Sequence, residues 1–88
     1  MKINSDFRLR RADNKNFVVA VGEKSKSFSN TVKLNDTAAE IFKNLKNGKS
    51  KEEIAKQFEN DYGILYENAL NDVVNVIEQF KKAGFFDD

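Results

Sequence analysis

The sequence predicts an α+β domain in which a three-stranded antiparallel sheet is followed by three helices. Three observations carry this. Apolar residues recur at every second position from Phe7 to Leu34, they recur at helical spacing after Leu34, and clusters of Asn, Asp, Gly and Ser punctuate the segments. The chain has 88 residues, 40% of them hydrophobic and 11% aromatic, which suits one folded domain spanning residues 1–88.

The first strand is expected near Asp6 to Ala12, where Phe7 and Leu9 alternate with Arg8 and Arg10. Asp13-Asn14-Lys15-Asn16 then reads as a hairpin turn, because Asn and Asp tolerate left-handed backbone angles. The second strand, Phe17 to Val21, is apolar on both faces. Phe17, Val19 and Val21 lie on one side and Val18 and Ala20 on the other, as expected of a central strand. Gly22-Glu23-Lys24-Ser25 supplies the next turn. The third strand is expected over about Lys26 to Leu34, with Phe28, Val32 and Leu34 on one face and Ser27, Ser29, Thr31 and Lys33 on the other. Asn30 interrupts the apolar set. Such polar character suits a sheet edge, where solvent or a partner supplies the remaining backbone hydrogen bonds.

Beyond Leu34 the period becomes helical. Asn35 is a candidate N-cap, with Thr37 and Glu40 as an alternative capping box. Ala38, Ile41, Phe42 and Leu45 form a buried stripe before Gly48. Ser50-Lys51-Glu52-Glu53 is a stronger capping box, opening a second helix with Ile54, Ala55 and Phe58 on its stripe and Tyr62 close behind; Gly63 ends it. The third helix, about Tyr66 to Lys82, places Ala69, Val73, Ile77 and Phe80 on its core line, with two lysines in the last turn and Gly84 as C-cap. Leu70 and Val74 widen its apolar surface on one side and Val76 on the other. Three strands followed by three helices describe a winged-helix-like arrangement.

Composition excludes several chemistries. The chain contains neither cysteine nor histidine, which removes disulfides, the thiolate and imidazole ligands of structural zinc, and the commonest general base. Paired carboxylates such as Glu52-Glu53 and Asp87-Asp88 read as a helix's first turn and a solvated tail. There is no glycine-rich phosphate loop. We therefore expect no catalytic residues, metal or cofactor. The N-terminus lacks the apolar run of a signal peptide and no apolar stretch is long enough to span a bilayer, so a cytoplasmic protein is expected. Charge is unevenly distributed: residues 1–34 carry eight Lys/Arg against three Asp/Glu, and residues 35–88 carry seven against eleven.

Several residues recur in an order and spacing that resemble a known family. Leu34-Asn35-Asp36-Thr37-Ala38-Ala39 leads into Ile41-Phe42 and Leu45, and Gly48-x-Ser50 precedes Glu53-Ile54-Ala55. Tyr62, Asp72-Val73, Ile77, Phe80 and Ala83-Gly84-Phe85 follow. Together these resemble the PqqD-like family of coenzyme PQQ synthesis proteins, over nearly the whole chain. Phe42 stands where that family often has tryptophan, Phe85 where it often has leucine, and Leu65-Tyr66 where an acidic or Ser-Pro helix start is common.

The resemblance implies a peptide recognition element. Such domains hold the leader segment of a ribosomally synthesised precursor peptide and present its core to a modifying enzyme, often a radical S-adenosylmethionine protein. The leader is thought to lie as an added strand beside the third strand, in a groove shared with the third helix. Carried onto this sequence, the expected peptide-binding residues are Lys26, Ser27, Phe28, Ser29, Asn30, Thr31, Val32 and Lys33 on the strand. On the helix, Leu70 and Val74 would floor the groove, with Asn71 and Glu78 at its rim. Lys24, Lys26 and Lys33 would attract an acidic leader.

Two rival classes are compatible with the sequence. A winged-helix topology suggests DNA binding, but Lys51 and Lys56 face Glu52, Glu53, Glu59 and Asp61 in the second helix, and Lys81 and Lys82 face Glu67, Asp72 and Glu78 in the third. Net acidic helices are poorly suited to phosphate backbones, so nucleic acid is disfavoured. The domain could instead be an assembly unit whose open edge pairs with a second copy. The expectation is thus a monomer or a strand-exchanged dimer.

Overall fold

The computed structural model describes residues 2–28 and 31–87. Its elements are β1 (Phe7–Ala12), β2 (Lys15–Ala20), a 3₁₀ helix (Gly22–Lys26), β3 (Val32–Leu34), α1 (Asp36–Lys46), α2 (Lys51–Tyr62) and α3 (Tyr66–Ala83). The sheet is antiparallel with β2 central. This is the predicted α+β, winged-helix-like order, with differences inside the sheet.

The first difference is the hairpin. Only Asp13 and Asn14 form the turn, at φ of 54° and 61°, so β2 begins at Lys15 rather than Phe17. Two consecutive left-handed residues match the right-handed twist of the flanking strands, which a two-residue loop requires. Asn16 is thereby drawn into the ladder and is only 5% exposed. Its amide donates to Asp36 Oδ1 (2.8 Å) and its carbonyl oxygen accepts from Arg11 Nη1 (2.8 Å). Those bonds make burial of a polar side chain tolerable and tie the hairpin to the start of α1.

The second difference corrects the third strand. Strand structure covers Val32–Leu34 alone, and Lys26, expected at the strand's start, is the last residue of the 3₁₀ helix. Ser27 and Phe28 follow it outside any strand, while Ser29 and Asn30 lie outside the described residues. Local hydrogen bonds explain the change. Ser27 N and Phe28 N both donate to Lys24 O (3.2 and 2.9 Å), and Ser25 Oγ donates to Gly22 O (2.6 Å). Gly22 enters this turn at φ +61°, a conformation open to glycine but strained for other residues. Phe28 is held by the core rather than by a ladder. Its ring meets Phe7 at 5.1 Å and Phe85 at 6.2 Å.

The helices follow their caps. Asn35 Oδ1 accepts from Ala38 N (2.8 Å), so it caps α1 in preference to the Thr37/Glu40 alternative. Ser50 and Glu53 make both halves of a capping box (2.9 and 3.1 Å), and those bonds hold the Glu53 carboxyl below its ordinary pKa. Leu65, at the N-cap of α3, offers no side-chain acceptor, as expected where Leu65-Tyr66 replaces the acidic or Ser-Pro start.

One apolar cluster joins sheet and helices. Phe7, Val18, Leu34, Ile41, Phe42, Ile54, Phe58, Val73, Ile77 and Phe80 are all buried in it. Phe85 is fully buried and touches four other rings, those of Phe7, Phe28, Phe42 and Phe80. Tyr62 is a correction: it is 61% exposed, its ring edge-on to Phe58, its hydroxyl donating to Glu40 (2.9 Å). The N- and C-terminal segments meet in an Ile3–Phe86 bridge, with Asn4 N donating to Phe85 O (2.8 Å). Among the described residues, no helix is long and apolar enough to cross a membrane.

Candidate functional site

An open three-stranded sheet has two edges, and they differ here in how their backbone groups are occupied. Val21 N donates to Asp6 O (2.8 Å), which fixes the alternation along β1: Asp6, Arg8 and Arg10 turn their backbone groups toward β2. Phe7, Leu9 and Arg11 therefore turn theirs outward. Two of these three carbonyls are taken, Phe7 O by Lys46 Nζ (2.7 Å) and Leu9 O by Arg10 Nη1 (3.3 Å). Partial burial, with Arg8 and Arg10 nearby, lowers the Lys46 pKa. Over Phe7 and Leu9, cationic side chains thus occupy the outward carbonyls of the β1 edge.

The β3 edge is open. With Phe17 turned toward β1, Asn16 and Val18 face β3 and pair with Leu34 and Val32. By the same alternation Lys33, and Thr31 before it, turn their N–H and C=O groups away from the sheet. Among the described residues no side chain hydrogen-bonds to the backbone of Thr31, Val32 or Lys33.

The expected site residues divide accordingly. Thr31 and Lys33 are exposed at the free edge, and Val32 is half-buried against the core. Lys26 and Ser27 are exposed on the 3₁₀ turn, where Lys26 pairs with Glu23 (3.3 Å), and Phe28 is half-buried in the aromatic cluster. On α3, Leu70 and Val74 are half-buried, Leu70 packing against the core; Asn71 and Glu78 are exposed, and Glu78 accepts from Lys81 (3.3 Å). The structure brings Phe28, Val32 and Leu70 to one core. Among the described residues it places no hydrogen bond or ion pair between the β3 segment and α3.

Two features were missed from the sequence. One is the Arg11–Asn16–Asp36 network, in which hydrogen bonds from Asn16 and then Arg11 depress the Asp36 pKa. Its members are distant in sequence and no local pattern joins them. The other is the hydrogen bond from Lys46 to the outward Phe7 carbonyl on the β1 edge, which requires knowing where the last turn of α1 lies. Among the described residues, no group of three or more His, Cys, Asp or Glu side chains is placed to hold a metal ion.

A family model, Coenzyme PQQ synthesis protein D (PqqD), matches residues 17–85. The chain belongs to the PqqD family. The match runs from β2 through Phe85, so it takes in the open β3 edge, all three helices and the Phe85 hub. Among solved structures, this PqqD-family chain is similar to "Lasso peptide synthetase B1 complexed with the leader peptide". The two share 22% identity with a TM-score of 0.77, over 94% of this chain and 92% of that one. It is also similar to "TbiB1 in Complex with the TbiA(beta) Leader Peptide", with 16% identity and a TM-score of 0.79 over all of both chains. At such identities these likenesses establish a common fold. No curated protein matches the sequence significantly.

Proposed function

We propose that this chain binds the leader segment of a ribosomally synthesised precursor peptide as a fourth strand beside β3 and presents the attached core to a modifying enzyme. The observation that carries the reading is the asymmetry of the sheet. On the β1 edge Lys46 and Arg10 occupy the carbonyls of Phe7 and Leu9, whereas the β3 edge offers the backbone of Thr31 and Lys33 with nothing covering it among the described residues. Strand addition needs that arrangement, since main-chain bonds supply affinity and flanking pockets supply selectivity. Two proteins of the same fold are known in complex with leader peptides, which supports the choice of occupant.

In this reading the site is narrower than the sequence implied. Thr31–Lys33 supply backbone pairing, and Val32, Leu70 and Val74 present apolar surface. Lys26–Phe28 form a shoulder at the end of the edge rather than part of the added ladder. The chain acts as an adaptor beside a modifying enzyme, which in proteins the family resemblance points to is often of the radical S-adenosylmethionine class. Nucleic acid is disfavoured as a partner, because the acidic groups of α2 and α3 oppose phosphate binding. A leader of six to ten residues held this way would bind at micromolar to submicromolar strength, about −8 to −9.5 kcal/mol.

The test is a titration of isotope-labelled protein with the leader of a precursor peptide, once one is found encoded beside its gene. Amides of Thr31 to Leu34 should shift first and those near Leu70 and Val74 next. Shifts confined to α2, or no binding, would overturn the proposal. Sedimentation of the free chain adds a second check: a dimer that peptide does not dissociate would assign the β3 edge to another copy.

A further inference from the structure

The same alternation that opens the β3 edge also fixes which way an added strand's side chains point. A residue paired with Lys33 shares its face of the sheet, and the residues before and after it point to the opposite face. The opposite face is the core side, where Val32 is half-buried against the cluster that contains Leu34 and that Leu70 also packs against.

The outer face has a distinctive chemistry. Register places Arg8 beside Val19, and Arg10 beside Phe17 beside Lys33, with Lys15 and Thr31 on the same side. Phe17 and Val19 are half-buried there, and Arg8, Arg10, Lys15 and Lys33 are exposed. No Asp or Glu of the three strands lies on this face. Among the described residues, none of the four cations has a carboxylate partner, the ion pairs being formed by Arg11, Lys26, Lys56 and Lys81 instead. Four unpaired cations on one small face favour a partner that brings negative charge.

Resting on strand addition at β3, we infer that the peptide class read by this site is an alternating acidic and apolar segment: a carboxylate-bearing side chain beside Lys33 on the outer face, apolar neighbours turned toward Val32. Lys33 makes the contact, because only it is one strand away. Arg8 and Arg10 lie on β1, three strands away and roughly 14 to 15 Å from an added strand at the usual interstrand spacing. At that range they act on encounter more than on the bound state. A one-residue slip would turn the carboxylate to the core and the apolar residues to solvent, so the pattern also sets the register.

The experiment measures association and dissociation of the same neighbouring-gene leader by the full chain and by Lys33→Gln, Lys33→Glu and Arg10→Gln. A second leader carries lysine in place of the outward carboxylate. Opposite charges across a ladder stabilise modestly, so Lys33→Gln should weaken binding by about two- to fivefold and Lys33→Glu by about tenfold or more, mainly through faster dissociation. Arg10→Gln should slow association and leave dissociation unchanged. The lysine leader should bind Lys33→Glu more tightly than it binds the unaltered chain. Circular dichroism verifies that each variant is folded, as expected for exposed positions.

If the unaltered chain binds the leader and both Lys33 variants bind it equally well, this inference falls while strand addition stands. A leader that binds without a carboxylate at alternating spacing has the same meaning. Failure of the unaltered chain to bind overturns the strand-addition reading, and this inference with it.

Discussion

At the scale of single residues, Phe85 concentrates more of the fold than any local signal suggests. It follows the C-cap of α3, has no exposed surface, and meets the rings of Phe7, Phe28, Phe42 and Phe80 at centroid distances of 5.0 to 6.2 Å. Phe85→Ala should therefore destabilise the protein by about 3–5 kcal/mol in denaturant titrations. Because Phe28 loses a partner, the same variant should loosen the 3₁₀ shoulder and speed amide exchange at Ser27 and Phe28. Asp36 sets a second residue-scale expectation. Hydrogen bonds from Asn16 and Arg11 depress its folded pKa, so its contribution is fully present above the unfolded value of about 3.9 and is lost as pH falls through the lower folded value. Asp36→Asn should flatten the acid limb of stability between roughly pH 5 and 2, measured as the urea midpoint. An unchanged limb would show that the network does not act through the charge of Asp36.

At the scale of elements, the sheet edge can be dissected with proline. The backbone N–H of Lys33 faces outward and that of Val32 faces β2, so the two positions separate recognition from folding. Lys33→Pro removes an edge donor and should weaken leader binding by about tenfold while the protein stays folded, since edge strands accept proline. Val32→Pro removes a ladder bond and should lower stability itself. Ser50→Ala, by contrast, belongs to α2 alone: loss of its cap should cost about 1 kcal/mol without altering leader affinity. The helices were legible in the sequence because their instructions are local. Asn35, Ser50, Gly63 and Gly84 mark their ends within a residue or two of the observed limits, and Ala69, Val73, Ile77 and Phe80 are all buried as their spacing requires. The third strand was overextended for an equally physical reason. Phe28, Val32 and Leu34 share a parity that mimics a strand, yet Gly22 to Ser27 offers no apolar side chain to bury, and its backbone bonds within the 3₁₀ turn instead. Tyr62 was placed near the core by spacing, but its hydroxyl reaches Glu40 and its ring stays outside. The placement of the candidate site on β3 came from resemblance; the difference between the two sheet edges came only from the structure.

At the scale of the whole molecule, charge and topology act together. The excess of basic residues in the first third becomes an outer sheet face of Arg8, Arg10, Lys15 and Lys33, while the acidic excess resides largely on the helices. Added salt should accordingly slow leader association more than it speeds dissociation. Binding should also raise global stability, by about 2.7 kcal/mol when free leader reaches a hundred times its dissociation constant, detectable as an upward shift of the thermal midpoint. The three-residue length of β3 carries one last consequence. A recognition strand this short offers few points of chemical identity and several backbone groups, so what it reads is the path of a peptide more than its spelling. A leader recognised in that way is a transferable handle: joined to an unrelated core sequence, it should still be captured with nearly the same affinity, because the cargo contributes nothing to the ladder.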